Sequence, residues 1–311
     1  MAEKNNPQKA SMLPSDSNAP PWLKYLPSAV LPYVLLARLE RPIGTYLLFW
    51  PCIWGLGLAY QGQNLFFTGF YSLAFFIGAL LMRGAGCTLN DLADRKIDAR
   101  VARTAHRPLA SGHFKPKAAL LFFALQTGLA FLILLLFNWQ TVLVACLSLP
   151  IVALYPFAKR ITYWPQLVLG LAFNWGVWVG YLALNPHFSF GTLALYLAGI
   201  FWTIGYDTLY AHQDREEDAL IGVRSTALLF GENTRKILVL FYSIAWLLFC
   251  FALLLEGRNY WSLFFFLPVL AHFIWQIRML DINNPALCLT LFKSNTWVGF
   301  FVAVAIFLSA L

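Results

Sequence analysis

Apolar residues along this chain come in long blocks, not in the alternation of a half-buried strand or the single stripe of a surface helix. Nine blocks, roughly 43–60, 65–89, 116–137, 141–158, 165–184, 190–209, 236–255, 260–278 and 295–311, are long enough to span or nearly span a bilayer, whose hydrocarbon core takes about 17–25 helical residues. Gly or Pro interrupts most of them, as membrane helices allow when neighbours re-satisfy the freed backbone groups. The pattern predicts an all-α integral membrane protein with nine transmembrane helices. Residues 1–21 are polar and rich in Pro, Ser and Asn, and read as a disordered tail. Residues 22–311 then form a single transmembrane domain.

Composition agrees. The 311 residues are 60% hydrophobic and 12% charged, about half the charge of a soluble chain. The five cysteines are isolated and mostly lie in apolar stretches, with no CxxC pair and no metal spacing. A net charge of +8 raises nucleic acid as a partner. The basic residues, however, sit in a few loops between the apolar blocks and form no continuous face, so no nucleic-acid partner is expected. With nine spans, 21 of the 22 Lys and Arg residues fall on one side of the membrane and only Arg258 on the other. The positive-inside rule puts that side in the cytoplasm, or the equivalent matrix. Residues 1–21 carry neither the apolar core of a signal peptide nor the Arg-rich pattern of a transit peptide. On that ground the expected location is the bacterial inner (plasma) membrane, multi-pass, with the active site on the cytoplasmic side.

Acidic residues are scarce, and 8 of the 14 lie in two clusters, Asp91 to Asp98 and Asp207 to Asp218. In the first, Asn90, Asp94 and Asp98 are four residues apart and stack on one helical face, with Asp91 pointing off it. In the second, Asp207, Asp214 and Asp218 are seven and four apart and share a face if the helix runs on; Glu216 and Glu217 point away and are solvated. Two such faces turned toward each other make a cage of carboxylate oxygens suited to Mg2+, which bridges one or two carboxylates to substrate phosphate. Arg103, Arg107, Lys159, Arg160 and Arg224 lie nearby in the sequence and suit phosphate oxygens. Acidic and basic groups in one place fit a metal diphosphate. Solvated loop charge is the plainer alternative for both clusters, and a transporter relay of intramembrane carboxylates is another. The relay predicts carboxylates near the bilayer midplane, whereas these sit at the ends of spans.

These residues resemble a known family. Asn90-Asp91-x-x-Asp94-x-x-x-Asp98, followed by Arg103-Thr104-x-x-Arg107-Pro108-Leu109, is similar to the first signature of the UbiA superfamily of intramembrane prenyltransferases. Asp207-Thr208-x-Tyr210-Ala211-x-x-Asp214-x-x-x-Asp218, then Gly222-Val223-Arg224-Ser225-Thr226, resembles the second. Arg41-Pro42-Ile43-Gly44-Thr45, Met82-Arg83-Gly84-Ala85-Gly86-Cys87 and Tyr155-Pro156-Phe157-Ala158-Lys159-Arg160 with Pro165-Gln166 support the branch that prenylates 4-hydroxybenzoate. The resemblance runs from about Leu36 to about Gly299.

The resemblance implies nine helices around a central cavity open to lipid. It also implies Mg2+-dependent transfer of a polyprenyl chain from polyprenyl diphosphate to the ring of 4-hydroxybenzoate, ortho to the hydroxyl. Asp94, Asp98, Asp214 and Asp218 then carry catalysis, and with Asn90, Asp91 and Asp207 they make up the metal set. Asn90, Arg103, Arg107, Lys159, Arg160 and Arg224 contact the diphosphate, and Arg41 holds the aromatic carboxylate. Phe173, Asn174, Trp175 and Trp178 are candidates to wall the allylic cation. His106 and His212, near the clusters, read as solvated loop histidines, which leaves the ring proton to the diphosphate or an Asp. A homogentisate, haem O or menaquinone-branch enzyme of the same superfamily shares the metal clusters and differs only in the acceptor pocket.

Overall fold

The computed structural model describes residues 20–62, 65–99 and 104–310, the side chain of Ile221 excepted. Among the described residues every regular element is a helix. The helices Ile43–Ala59, Leu65–Asp98, Pro116–Leu134, Phe190–Ala211, Thr234–Leu255, Leu267–Met279 and Pro285–Leu308 each fall on one apolar block. Two blocks are broken helices: Trp139–Leu147 with Leu149–Ile161, and Pro165–Asn174 with Gly176–Leu184. Pro150 explains the first break, because its ring removes a backbone donor and fits only the opening turn of a new helix.

Among the described residues, seven helices are long and apolar enough to cross a bilayer, where nine were expected. Ile43–Ala59 has 17 residues and falls below that length. Phe190–Ala211 is 22 residues long but carries Thr192, Thr203, Asp207 and Thr208, and it buries all of these except Asp207 completely. It packs against other helices along its length, so its sequence need not be as oily as a lipid-facing one.

The chain divides into two compact units. One comprises residues up to Thr45 together with Ile77–Ile133; the other comprises Tyr46–Phe76 with Leu134–Leu311. In the first unit, Leu36, Leu109 and Ala119 form a buried cluster with Leu92, Phe114 and Phe122 against it. Tyr33 meets the edges of Phe114 and Phe122 at 5.0 Å each.

In the second unit, Phe190–Ala211 is the central helix, packed along Thr234–Leu255, Pro165–Asn174 and Pro285–Leu308. Trp54 and Trp202 are fully buried with ring centroids 5.2 Å apart. Each satisfies its indole N–H, Trp54 on the Gly299 carbonyl and Trp202 on Asn295 Oδ1, both at 2.8 Å. The helices Ile43–Ala59 and Gly176–Leu184 touch backbone to backbone. A Cβ on Gly55 would lie 2.0 Å from the Val177 carbonyl oxygen, and one on Gly180 would lie 1.9 Å from that of Cys52. Small residues at such contacts let membrane helices gain packing where lipid offers no hydrophobic drive. Arg258, the one basic residue expected on the far side, donates to the Tyr60 and Leu58 carbonyls at 2.7 and 3.3 Å and so closes the C-terminal end of Ile43–Ala59.

Candidate active site

Within the first unit, the site is built on the C-terminal end of Leu65–Asp98. The buried side of this end is Thr88, Asp91, Asp94 and Asp98, each 7% exposed or less. Asp91 therefore does not point away from the acidic face, as four-residue spacing from Asn90 suggested. Seven residues bring an α-helix back to within about 20°, so Asp91 and Asp98 share a face more closely than Asn90 and Asp98 do. Asn90 is only half-buried.

Asp91 is taken up by two arginines. Arg38 Nη2 donates to both of its oxygens, at 2.8 and 3.0 Å, and Arg107 Nη1 donates to Oδ1 at 3.2 Å. Arg107 Nη1 also reaches Asp98 Oδ2 at 2.8 Å. Four charged groups are thus strung as Arg38, Asp91, Arg107, Asp98, with Asp94 fully buried on the same face. Arg38 makes its contact from a left-handed backbone, φ 54°. That conformation costs a non-glycine residue roughly 1–2 kcal/mol, which the charge-assisted bonds to a buried carboxylate offset. Arg107 is fixed from its own loop. Leu109 plugs the cluster with Leu36 and Ala119, Thr104 Oγ1 donates to the Asp98 carbonyl at 2.9 Å, and the Ser111 N–H and hydroxyl both donate to the Arg107 carbonyl. This is why Pro108-Leu109 follows the arginine. Arg103 lies outside the described residues.

Arg41 is partly exposed and stands 3.9 Å from Glu40 Oε1. Glu40 is buried, and burial raises its pKa above the ordinary carboxylate value against the pull of Arg38 and Arg41. Arg38 and Glu40 were missed by sequence reasoning. The available signal was three charges in Arg38-Leu39-Glu40-Arg41, at the entry to an apolar stretch.

In the second unit the acidic run is not one continuous helix. Phe190–Ala211 ends, a 3-10 turn covers His212–Asp214, and a short helix Arg215–Ile221 begins with Glu216, Glu217 and Asp218 in its first turn. Acidic residues favour a helix start, and here that local preference restarts the helix. The seven-residue register between Asp207 and Asp214 is therefore broken. Asp207, Asp214 and Asp218 are half-buried, and Glu216 and Glu217 are exposed, as expected.

Three separate motifs meet behind these carboxylates. Thr208 donates to the Ile204 carbonyl at 2.6 Å, so the 2.6 Å contact with Thr226 leaves the Thr226 hydroxyl as its donor. The Thr226 N–H in turn donates to Gln166 Oε1 at 3.1 Å. Arg224 donates from Nη1 to the Ile161 carbonyl at 2.6 Å and from its backbone N–H to that of Lys159 at 3.0 Å, with its guanidinium 5.3 Å from the Tyr163 ring centre. Arg224 thus fastens its loop to the end of the helix that carries Lys159 and Arg160. Lys159 is half-buried, and Arg160 is exposed beside the Phe157 ring. His212 is no solvated loop histidine: it is buried, with Nε2 3.0 Å from Thr234 Oγ1, and burial, with Arg215 nearby, lowers its pKa to about 4.

Of the four residues considered as cavity walls, Asn174 is fully buried and donates to Gly170 and Thr203, which makes it a packing residue. Trp175 donates to the Val144 carbonyl, and Trp178 stacks on Phe188. Phe173 is half-buried.

Among the described residues no three His, Cys, Asp or Glu side chains converge as a metal-binding group. Hard oxygen donors still fit Mg2+, which needs only one or two carboxylates when substrate phosphate supplies the rest.

The UbiA prenyltransferase family model matches residues 48–309. A Drosophila pseudoobscura protein named 4-hydroxybenzoate polyprenyltransferase, mitochondrial, is 44% identical, over 98% of this chain and 77% of its own length. Proteins of the same name from Drosophila melanogaster and Homo sapiens are 45% and 44% identical, over 93% and 92% of this chain and 74% and 77% of theirs. The apo structure of a UbiA homolog from Aeropyrum pernix superposes with a TM-score of 0.70 at 25% identity, over 86% of this chain and 98% of that one. A UbiA homolog from Archaeoglobus fulgidus bound to GPP and Mg2+ gives 0.67 at 20% identity, over 89% and 99%. The mitochondrial names overturn the expectation of a bacterial inner membrane. Loop charge fixes which side of a bilayer a segment occupies; it carries no mark of which bilayer, and the composition of residues 1–21 was too slight a signal to choose one.

Proposed function

The chain belongs to the UbiA prenyltransferase family, and on that premise we propose that it transfers a polyprenyl group from polyprenyl diphosphate to the ring carbon of 4-hydroxybenzoate ortho to the hydroxyl, within ubiquinone synthesis. The observation that carries this reading is the 44–45% identity, over more than nine-tenths of the chain, to proteins of that name.

Asn90, Asp94 and Asp98 in the first unit, and Asp207, Asp214 and Asp218 in the second, are the residues that would hold Mg2+. Bound Mg2+ would neutralise the diphosphate and so improve it as a leaving group. Asp91 serves differently: with its oxygens occupied by Arg38 and Arg107, it holds the arginines and, through Arg107, orients Asp98. Lys159, Arg160 and Arg103 are the cations assigned to the diphosphate, and Arg224 supports Lys159 by donating its backbone N–H to the Lys159 carbonyl and Nη1 to that of Ile161.

In the reaction the allylic C–O bond breaks with its electron pair leaving on the diphosphate, and the ring's ortho carbon closes a C–C bond to the allylic carbon. The ring proton then departs. His212 is unsuited to take it, because it is buried with its Nε2 held at Thr234 Oγ1, so the proton is assigned to the diphosphate or an Asp. Apolar and aromatic surroundings keep water from the cation, and aromatic faces contribute roughly 1–2 kcal/mol each where they meet it desolvated.

The experiment is prenyl transfer in membranes carrying the protein, with 4-hydroxybenzoate and a series of polyprenyl diphosphates, with and without Mg2+. The expected product is 3-polyprenyl-4-hydroxybenzoate, formed only with Mg2+. Product with homogentisate but none with 4-hydroxybenzoate would move the protein to another branch of the family.

A further inference from the structure

Leu65–Asp98 and Pro116–Leu134 are consecutive spanning helices, so the first ends and the second begins at the same membrane surface. A cavity of about 350 Å3 lies between these two ends, within the range of ligand-binding cavities, about 300–1,000 Å3. Arg95 and Lys96 line it from the end of the first helix, Lys115 and Pro116 from the beginning of the second, and Leu109 and Phe114 from the loop between them. Three cations thus line the cavity and no carboxylate does. Among the described residues none of the three makes an ion pair. The contrast is with Arg38 and Arg107, which are spent on Asp91 and Asp98.

Cations without carboxylates suit a phosphate that needs no metal, since Mg2+ is held through carboxylates as well as phosphate oxygens. A phosphodiester carries one charge and accepts charge-assisted hydrogen bonds from Arg and Lys directly. The surroundings say where that phosphodiester comes from. Basic pockets between transmembrane helices at a membrane surface lie at the level of lipid head groups. Leu120 is four positions beyond Pro116, on the same side of the helix and one turn deeper. It is exposed, as are Leu121 and Leu125, so the helix turns an oily face to the bilayer directly below the cavity. An anion above and an apolar track below match a phospholipid, whereas a soluble phosphate has no use for the track.

We propose that the cavity between Arg95, Lys96 and Lys115 binds the head group of an anionic phospholipid, with its acyl chains along Leu120, Leu121 and Leu125. The site is joined to the acidic cluster through its loop. The Ser111 N–H donates to the Arg107 carbonyl and the Phe114 N–H to the Pro108 carbonyl, both at 2.9 Å, and Arg107 holds Asp91 and Asp98. A lipid bound against Leu109 and Phe114 steadies the segment that carries Arg107. The plain alternative is solvated charge that only orients the helices in the membrane; it predicts that losing any two exposed cations has the same effect on lipid binding.

The test uses the protein purified in detergent and titrated with phosphatidylglycerol, with neutral phosphatidylcholine, or with glycerol phosphate, which is the same anion without acyl chains. Mass spectrometry of the intact protein reads bound lipid, and thermal unfolding reads the stabilisation that binding to the folded state brings. Wild type is compared with Lys96→Ala/Lys115→Ala and with Lys236→Ala/Arg278→Ala, which removes two exposed cations at the ends of other helices. Wild type is expected to retain phosphatidylglycerol and to melt higher with it than with phosphatidylcholine. The Lys96/Lys115 variant should bind it about tenfold or more weakly, the scale for removing two cations from an anionic membrane surface, and should lose the Tm shift; the Lys236/Arg278 variant should keep both. Lys115→Glu alone should also lose the shift, and it supplies the reading if the double variant does not fold. Equal losses in the two double variants, no preference of wild type for the anionic lipid, or a Tm shift from glycerol phosphate equal to that from phosphatidylglycerol would overturn the proposal.

Discussion

Arg38 Nη2 sits 2.8 Å from one oxygen of Asp91 and 3.0 Å from the other, reaching them from a backbone with φ 54°. A strained arginine on a 1% exposed carboxylate is a structural joint, and Arg107 extends it to Asp98. Asp91 and Asp94, three residues apart on one buried face, therefore separate into different roles.

Asp91→Ala should destabilise the protein by about 3–5 kcal/mol, the usual consequence of removing one partner from a buried ion pair. Thermal unfolding in detergent measures it. Arg38→Ala should destabilise too, and the double variant should fall short of the summed losses by about 0.5–3 kcal/mol. Additive losses would mean that the two residues act apart.

Asp94→Ala and Asp214→Ala should behave in the opposite way. Each is expected to cut kcat by about 100-fold or more, the scale of losing one group that stabilises charge in a transition state, while the protein inserts and elutes from a sizing column as wild type does. Chelation with EDTA should abolish transfer, and added Mg2+ should restore it. Full activity in EDTA would remove the metal from the mechanism.

The two hydroxyls that join the second acidic motif to its following loop should respond unequally. Thr208 gives its proton to Ile204 and accepts from Thr226. Thr208→Val strands the Thr226 hydroxyl in the interior and should cost about 1–3 kcal/mol, whereas Thr226→Val removes a donor whose acceptor stays satisfied and should cost about 0.5–1.5 kcal/mol. Chemical or thermal unfolding of the two variants gives the comparison, and equal losses would reverse the assigned donor.

Glu40 predicts a pH dependence. Its folded-state pKa is raised above the ordinary 4.5, mainly by burial, so the folded protein holds a proton that the unfolded chain releases first. Stability from this group is greatest below pH 4.5 and declines as pH rises through the window up to the raised value. Melting temperatures across that window should fall with pH in the wild type, relative to Glu40→Gln, which has no carboxyl to ionise. Parallel profiles would show that Glu40 titrates normally.

The all-helical membrane class and the two acidic motifs were legible in the sequence because each is a local property: runs of apolar residues, and side chains a few positions apart on one helix. Family membership was legible for the same reason, since motifs such as Asn90-Asp91-x-x-Asp94 are short and specific. What lay beyond reach depends on contacts between distant segments. Asp91 lies 53 positions from Arg38, and no helical wheel shows that a strained turn will deliver a guanidinium to it. The break at His212–Asp214 arises where a helix end competes with a new acidic start, a balance of small local energies. Arg224, expected to contact the diphosphate, gives Nη1 to the Ile161 carbonyl, 63 positions away. Arg83 stood in a quoted motif, yet only the fold shows that its guanidinium lies against Gly44. Periodicity and residue type determine which side chains a helix can present together; which of them are spent on one another, and which are left for a ligand, is decided by the packing that brings their partners near.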